Sequence, residues 1–209
     1  MSNNVERIIA ERVKLDIEDW FFPRTELKSG KSPGMHLMTH VTAVKGNIVD
    51  LTGCDGVVNS ANRNLRAGSG VCGAIYAAAG CRLEPYSVQF APLLVGEAIA
   101  TPAFDMGCRF IIHTRGPKYL EDEDPPLNLA RAIRSALVLA DENGIQCLAV
   151  PAISMGVYGY PATEAVPILV GTTFETISSL RNLKEIRFTV GTNDLLALFR
   201  TVLDQRNAS

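Results

Sequence analysis

The stretch GVVNSANRNLRAGSGVCGAIYAAAG, residues 56–80, decides how this chain folds. It opens as a short apolar strand, passes through a polar loop that contains glycines, and continues into a helix of small residues. A strand, a loop and a helix in this order indicate a β-α unit of an α/β domain. Within the loop, GSGVCG at residues 68–73 spells G-x-G-x-x-G, a pattern that in dinucleotide-binding folds wraps a pyrophosphate around a helix start.

The surroundings of GSGVCG argue against a Rossmann-type site. That fingerprint places its glycines directly at the strand-to-helix turn and needs an acidic residue about 20 residues further on. Here the strand ends well before Gly68, the region near Leu93 is apolar, and Glu97 opens a later strand. What remains is a loop followed by a helix N-terminus, where unpaired N–H groups and the helix dipole favour an anion.

A second loop has the same character. The segment PAISMGVYGYP, residues 151–161, leaves an apolar strand, passes Gly156 and Gly159, and enters another helix. Two such loops at the carboxyl ends of strands can face each other and hold a diphosphate through main-chain amides. For each loop alone, a plain glycine-containing turn remains the alternative.

Strands and helices alternate along the rest of the chain. Strands are predicted at 35–44, 55–61, 97–103, 109–114, 145–153 and 185–190, and helices at 70–80, 127–140, 161–180 and 192–203. Gly144 suits the left-handed position that ends a helix, and Pro167 predicts a kink or a late start in the helix around it. The last helix is expected to be capped at Thr192 or Asn193, with Leu195, Phe199 and Val202 facing inward. The predicted fold class is α/β, a three-layer α/β/α sandwich with a central mixed sheet.

Composition excludes several kinds of partner. The chain has 209 residues, 47% of them hydrophobic, which suffices for one core. Its formal net charge of −2 gives no general attraction for a nucleic-acid backbone, so neither RNA nor a long polyanion is an expected partner. Five scattered cysteines, the polar start MSNNVERIIAER and the lack of an apolar run near the roughly 20 residues of a membrane helix predict a cytoplasmic protein. We expect a monomer.

Four segments in a fixed order carry a family resemblance. They are GNIVDL (46–51), DGVVNSANRNLRAGSGVCGAIYAAAG (55–80), FIIHTRGP (110–117) and PAISMGVYGYP (151–161). This set resembles the macrodomain family, the ADP-ribose-binding fold, from about Met35 to the C-terminus. The resemblance divides the chain into an N-terminal extension, residues 1–34, and a macrodomain, residues 35–209. It implies ADP-ribose or ADP-ribosylated proteins as partners, with no cofactor and no metal.

The resemblance also implies which residues contact the ligand. Asn47 and Ile48 match the pair that contacts adenine, where family members carry an acidic residue in place of Asn47. Asn62 matches the asparagine that binds the distal ribose, and Asn59 braces the same loop. Amides of the two loops would hold the phosphates, and Tyr158 would pack against the distal ribose. The predicted ligand-binding set is Asn47, Ile48, Ala61, Asn62, Gly68, Ser69, Gly70, Val71, Ser154, Met155, Gly156, Val157 and Tyr158.

The chain departs from the family pattern at several of these positions. Ala67 and Ser69 replace two glycines of the first loop, and their Cβ atoms restrict how closely a ligand approaches the backbone. Met155 replaces a usual threonine. Gly191 stands where many members place an aromatic residue that stacks on the base, an interaction typically worth about 1 to 3 kcal/mol.

Asn62 and Cys72 are the predicted catalytic residues. In the family's hydrolases an aspartate follows the glycine run and places the attacking water, and Cys72 stands at that position. A thiol of ordinary pKa is neutral at pH 7 and cannot act as that base. The expected role of this cysteine is that of a small packing residue, because no partner His or Asp stands nearby in the sequence, and a thiolate nucleophile with a pKa lowered by the helix N-terminus is the alternative.

Two functions therefore stay open. The first is hydrolysis of mono-ADP-ribosyl esters on protein Asp or Glu, or of O-acetyl-ADP-ribose, with the water positioned by Asn62 and the substrate phosphate. The second is a non-catalytic module that reads ADP-ribose.

The remaining polar candidates favour structural roles. His36 and His40 share one face of a strand, but no third ligand accompanies them, so no zinc site is predicted. His113 ends a strand and is expected to be a hydrogen-bonded structural histidine rather than a catalytic one. Arg66 and Arg115 are candidate contacts at the rim of the site, with ordinary surface solvation as the alternative.

Overall fold

The computed structural model describes residues 39–50 and 53–207. Its strands are β1 (His40–Lys45), β2 (Gly56–Ser60), β3 (Ala98–Pro102), β4 (Phe110–Thr114), β5 (Cys147–Pro151) and β6 (Glu185–Val190). Its α-helices are α1 (Gly70–Ala79), α2 (Leu83–Ser87), α3 (Pro125–Glu142), α4 (Ala162–Ile177) and α5 (Asn193–Asn207), with 3-10 helices at Ile48–Asp50 and Val88–Phe90. The predicted extension, His36 and the start of the first predicted strand lie outside the described residues, so the boundary at residue 34 stays a prediction.

The six strands form one mixed sheet in the order β1-β6-β5-β2-β4-β3. All neighbouring pairs are parallel except β3 and β4, which run antiparallel at one edge. The four strands from β1 to β2 in this order therefore end at the same edge of the sheet, which brings together the loops that follow them.

Helices cover both faces of the sheet. Helices α3, α4 and α5 pack side by side, and α3 also lies on β3 and β4 while α5 lies on β1 and β6. On the other face, α1 packs against β2 and α2 against β3. Residues of α1 join a separate buried cluster with Val57, Ile111 and Ala149 of the sheet. This confirms the predicted three-layer α/β/α architecture.

Local sequence explains how the long helices begin and end. The Asp124 side chain accepts a hydrogen bond from the Leu127 amide at 3.3 Å, which caps α3, and Pro125 takes the first helical position. Gly144, at φ +66°, follows the helix in the predicted left-handed conformation. Helix α4 begins at Ala162 and contains Pro167. Of the two effects predicted from Pro167, a kink or a late helix start, the late start is therefore excluded.

The last helix begins one residue after Thr192, whose hydroxyl accepts from the Leu195 amide at 3.3 Å. This agrees with the predicted cap. Phe199 is fully buried as expected, whereas Leu203 rather than Val202 takes the next buried position. The inward face of α5 is therefore shifted by one residue, and Leu195 and Val202 lie half-buried along its border.

Within residues 39–50 and 53–207, no helix has both the length and the apolar character needed to cross a membrane.

Candidate functional site

Three chain segments meet at the carboxyl edge of the sheet. The 3-10 helix Ile48–Asp50 follows β1, residues 61–69 follow β2 and lead into α1, and residues 152–161 follow β5 and lead into α4. Because β5 and β2 are parallel neighbours, the loops after them leave the sheet side by side. Helix α1 also packs on Ile48–Asp50. The structure thus brings the predicted ligand segments to one edge.

The start of α1 offers unpaired amides. Ser69 precedes the helix in an extended conformation, and its side chain makes no capping hydrogen bond. Among the described residues, the amides of Gly70, Val71 and Cys72 have no hydrogen-bond acceptor. Three N–H groups at a helix N-terminus form a strong position for an anion.

Two glycines shape this helix start. Gly70 adopts φ +59°, a conformation that side chains disfavour. A Cβ at position 73 would collide with the carbonyl oxygen of Gly68, so only glycine lets the first turn of α1 lie against the loop. The last glycine of GSGVCG therefore serves the packing of loop on helix, as it does in dinucleotide-binding folds, although the rest of the fold differs.

The second loop is closed by its own backbone. Tyr160 donates its amide to the Ser154 carbonyl at 3.0 Å, and Gly159 donates to Gly156 at 2.9 Å. Ser154 itself has φ +65°, unusual for a residue with a side chain. This folding leaves an exposed tip, where the Val157 side chain is 82% exposed.

The tip of the second loop also presents free amides. Those of Gly156, Val157 and Tyr158 donate to no other residue that the structure describes. The Met155 amide, by contrast, donates to the Ala152 carbonyl at 3.2 Å, so its predicted contact with phosphate lacks a free donor. Ala61 also lacks a free donor, because its amide donates to the Thr114 carbonyl at 2.8 Å, and its side chain is buried.

Asn62 organises the first loop. Its Nδ2 donates to the Arg66 carbonyl at 2.6 Å, and its Oδ1 accepts from the amides of Asn64 and Arg66 at 3.1 and 3.3 Å. The second Nδ2 hydrogen lies on the side of Cys72, whose sulfur is 4.0 Å away. The structure therefore brings the two predicted catalytic residues together.

Cys72 is a buried thiol. Its Sγ donates to the Arg66 carbonyl at 3.6 Å and lies 3.8 Å from the Asn59 amide nitrogen. Burial raises the pKa of this thiol above its usual value and outweighs the hydrogen bonds that lower it. The alternative of a thiolate with a pKa lowered by the helix start is therefore contradicted, and Cys72 is a neutral thiol at pH 7.

His113 belongs to a buried chain of hydrogen bonds. Asn59 Nδ2 lies 3.0 Å from His113 Nδ1, and Thr101 Oγ1 lies 3.0 Å from Nε2. Because an amide nitrogen only donates, Nδ1 accepts and Nε2 carries the proton. Complete burial lowers the pKa of His113 to about 3, so the ring is neutral. The structural role expected for His113 is confirmed, and through Asn59 it holds the region around Cys72.

The predicted adenine contact has a neighbour that the sequence did not suggest. Asn47 Nδ2 donates to Asp50 Oδ2 at 2.9 Å, and Asn47 Oδ1 accepts weakly from the Val49 amide at 3.4 Å. Asp50 is exposed. A carboxylate therefore lies beside Asn47, three residues later in the chain at the end of the 3-10 helix. In the sequence, an acidic residue three positions after Asn47 was the signal that could have revealed this neighbour.

Glu84 of α2 is a second residue that the sequence did not reveal. Its carboxylate accepts from the Ala67 amide at 2.8 Å and pairs with Arg66 at 3.1 Å. It thereby fixes the part of the first loop that precedes the glycines. No motif marks Glu84, because it acts from a different helix.

The other candidates take structural or surface positions. Arg66 is 63% exposed at its side chain, whereas Arg115 is only 12% exposed and pairs with Asp122 at 3.5 Å, which favours a structural role for Arg115. Gly191 is exposed at the start of the turn before α5. His40 lies exposed on β1, and among residues 39–50 and 53–207 no three acidic, histidine or cysteine side chains form a metal-binding group.

Comparisons with known proteins point to one family. The Macro domain family model matches residues 58–169. A macro domain-containing protein of Streptomyces coelicolor is 38% identical over 157 residues, which cover 72% of this chain and 92% of that protein. The O-acetyl-ADP-ribose deacetylase of Salmonella typhimurium is 33% identical over 177 residues, which cover 81% of this chain and 97% of the relative.

Solved structures agree with these relatives. A mutant of the Oceanobacillus iheyensis macrodomain, solved with ADPR, matches with a TM-score of 0.76 and 31% identity over 80% of this chain and 93% of its own. The Trypanosoma brucei macrodomain in complex with ADP-ribose matches with a TM-score of 0.73 and 29% identity, covering 82% of this chain and 72% of its own. Fold, segment order and sequence therefore agree, and this chain belongs to the macrodomain family.

Proposed function

We propose that this macrodomain binds ADP-ribose and hydrolyses mono-ADP-ribosyl esters on protein Asp or Glu, or O-acetyl-ADP-ribose. The observation that carries the proposal is the two sets of free amides, at Gly70 to Cys72 and at Gly156 to Tyr158, on neighbouring loops of one sheet edge. They suit a diphosphate held by backbone dipoles, which a protein of net charge −2 needs. The named deacetylase relative and the neighbour solved with ADP-ribose support the same ligand.

The three segments divide the ligand between them. The diphosphate lies between the two sets of amides, and the distal ribose reaches Asn62 and Tyr158. The adenine lies toward Asn47 and Asp50, whose oxygens accept its amino hydrogens. Gly191 provides no ring to stack on the base. Recognition of adenine therefore rests more on hydrogen bonds than on stacking.

Hydrolysis would proceed without a carboxylate at the family's usual position. Cys72 keeps its proton, so it does not remove a proton from water. Asn62 and the substrate's own phosphate orient the attacking water, and the amides at the start of α1 stabilise the phosphate. General base catalysis typically contributes a factor of about 10² to 10⁴, so a slow enzyme is expected.

A reader of ADP-ribosylated proteins is the second candidate. The observation that favours a reader is Cys72, a neutral buried thiol at the position where the family's hydrolases carry an acid. Both functions need the two loops, and they differ only in turnover.

Location and assembly are part of the proposal. Buried free cysteines and the acidic balance suit a cytoplasmic monomer, with residues 1–34 as an extension outside the macrodomain.

The deciding experiment uses an immobilised protein that carries mono-ADP-ribose on Asp or Glu. The full chain, its Asn62→Ala variant and its Asn64→Ala variant are incubated with it, and both label release and retained chain are measured. Asn64 is the matched control, because it lies in the same loop and is exposed. Calorimetry with free ADP-ribose reports binding separately for each variant.

Release by the native chain and by Asn64→Ala, with loss in Asn62→Ala, would support the hydrolase. Retention without release would support the reader. Neither release nor retention, together with no heat of ADP-ribose binding, would overturn both functions.

A further inference from the structure

Two cysteines outside the ligand site lie in direct contact. The sulfur atoms of Cys54 and Cys147 are 2.7 Å apart, closer than two unbonded sulfur atoms normally approach. Both residues are reduced and buried, with 6% and 7% of their surfaces exposed. Nothing in the proposed binding of ADP-ribose uses either of them.

The backbone holds this pair in register. Cys54 precedes β2 and Cys147 begins β5, and these strands are parallel neighbours. The Asp55 amide donates to the Cys147 carbonyl at 3.1 Å, while the Asp55 carboxylate accepts from the amides of Gln146 and Cys147 at 2.8 and 2.9 Å. Asp55 thus clamps the two chain segments together from both sides. A disulfide needs side chains that face each other, and the contact between the two sulfur atoms shows that these do.

A cavity leads to one of the two sulfurs. It has a volume of about 150 Å³, enough for water-sized molecules, and is lined by Cys54, Cys108 and Met106 and by the 3-10 helix Ile48–Asp50 that follows β1, among others. Cys147 is not part of its lining. A small oxidant that enters the cavity therefore reaches Cys54 but not Cys147.

We infer that Cys54 and Cys147 form an oxidation site, at which a peroxide closes a reversible disulfide between β2 and β5. Hydrogen peroxide oxidises the Cys54 sulfur to a sulfenic acid and releases one water. The Cys147 sulfur then attacks the Cys54 sulfur, the S–S bond forms, and the hydroxyl group leaves as a second water with the Cys147 proton. A dithiol reductant reverses the reaction.

The chemistry assigns different tasks to the two thiols. Burial, together with the contact to Cys54, raises the pKa of Cys147, so this thiol keeps its proton until the sulfenic acid has formed. Burial also raises the pKa of Cys108 to about 11, which disfavours Cys108 as the competing thiol in the cavity. Cys81 is exposed and does not line the cavity.

The disulfide lies at the opposite end of the strands from the two ligand loops, although the cavity beside it also reaches Ile48 and Asp50 of the proposed adenine site. The disulfide would join the amino ends of β2 and β5, whereas the loops follow the carboxyl ends, roughly 15 Å away for strands of five residues. Oxidation should therefore leave ADP-ribose affinity within about twofold, and it should raise the melting temperature because it constrains the unfolded chain.

The test treats the full chain with hydrogen peroxide, removes the peroxide, unfolds the chain in guanidinium chloride, blocks the remaining thiols with N-ethylmaleimide and measures intact mass. We expect three blocked cysteines instead of five, and five again after dithiothreitol. Tryptic digestion should yield one crosslinked species, residues 46–63 joined to residues 135–181, each of which contains a single cysteine. The melting temperature should rise by about 5 °C or more.

Variants separate this pair from general oxidation. Cys81→Ser should still form the crosslink, and Cys54→Ser and Cys147→Ser should not. Because the native chain is measured directly, a variant that fails to fold does not affect the conclusion. Five blocked cysteines after peroxide, or a crosslink from Cys54 to Cys108, would overturn the inference.

Discussion

At the scale of single residues, Cys72 is where this chain departs most from a hydrolase. It lies between the side-chain amides of Asn59 and Asn62, both of which point hydrogens toward its sulfur. A carboxylate in this place would accept two hydrogen bonds that a thiol accepts only weakly. The site is therefore already built for an acid that the sequence does not provide.

Replacing Cys72 by aspartate should raise turnover. We expect Cys72→Asp to release mono-ADP-ribose from protein at least about tenfold faster than the native chain, because the carboxylate adds a general base. The measurement is initial rate of label release, with exposed Cys81→Asp as the matched control. An unchanged rate in a Cys72→Asp chain that still binds ADP-ribose would show that the missing acid does not limit hydrolysis.

His113 predicts how stability depends on pH. Its folded-state pKa is lowered to about 3, against an ordinary value of 6.5. Below pH 6.5 the unfolded chain takes up a proton that the folded chain does not, until about pH 3. Stability contributed by neutral His113 is therefore complete above pH 6.5 and lost as pH falls, by about 2 kcal/mol between pH 7 and pH 5.

Urea unfolding at the two pH values checks this expectation. Glutamine cannot take up a proton, so His113→Gln should lose about 2 kcal/mol less than the native chain between pH 7 and pH 5. Because each protein is compared with itself at the two pH values, any pH-independent loss of stability caused by the substitution cancels. Equal losses in both proteins would contradict the assignment.

Residue types reveal less of this site than their spacing does. The position of Asn62 and the glycines at this sheet edge could be predicted, because they stand in ordered motifs close to a strand end. Asp50 and Glu84 could not, since each acts by folding back on a residue that carries the motif. A sequence also does not show whether a loop amide, such as that of Met155, is already hydrogen-bonded, because this depends on the path of the whole loop.

At the scale of elements, the short helix α2 supports the first ligand loop. Glu84 holds the Ala67 amide and Arg66, and the hydroxyls of Tyr76 and Ser87 both contact the Leu65 carbonyl, at 2.6 and 2.8 Å. The loop is thus fixed from α1 and α2 before it reaches the glycines. Its shape depends on residues that do not contact ligand.

Loss of the Glu84 carboxylate should weaken ligand binding more than folding. We expect Glu84→Ala to lower ADP-ribose affinity by about three- to tenfold, because the Ala67 amide loses its acceptor and the loop gains freedom. Calorimetry measures the affinity. Glu175→Ala, which removes an exposed ion pair to Arg134 on other helices, is the matched control and should have no effect. Equal affinity in both variants would contradict the support assigned to α2.

Elements with a clear period were predicted well. Helix α3 and the continuous apolar strand β5 match their sequence signals, although β5 is two residues shorter at each end than predicted. Helix α2 was missed, because LEPYS is a single turn with a proline inside and has no room for an apolar period. Strand order was not readable, since it depends on which surfaces meet in three dimensions.

At the scale of the whole molecule, the acidic balance separates this site from basic phosphate-binding surfaces. The free donors at the two loops are backbone amides, which carry no net charge. Binding through dipoles displaces few condensed ions and is screened only weakly by salt. Binding through several Lys and Arg residues would be much more sensitive.

Salt titration tests this difference. ADP-ribose affinity should change by less than about threefold between 50 and 500 mM NaCl, as measured by calorimetry, whereas contacts to a nucleic-acid backbone lose several orders of magnitude over a smaller range. An RNA oligonucleotide in the same buffers is the control and should bind little at either concentration. A steep fall in ADP-ribose affinity would indicate that a cationic side chain such as Arg66 carries the diphosphate instead.

The strand order also has a consequence for biosynthesis. His40 at the start of β1 pairs with Glu185 in β6, about 145 residues later. The described β1 therefore has no strand to join until almost the entire chain has left the ribosome, which at about 5 to 20 residues per second takes on the order of ten seconds. During that time β2, β3 and β4 can already assemble, so the sheet can grow from the edge at β3 and close last at the edge at β1, against which the last helix α5 also packs.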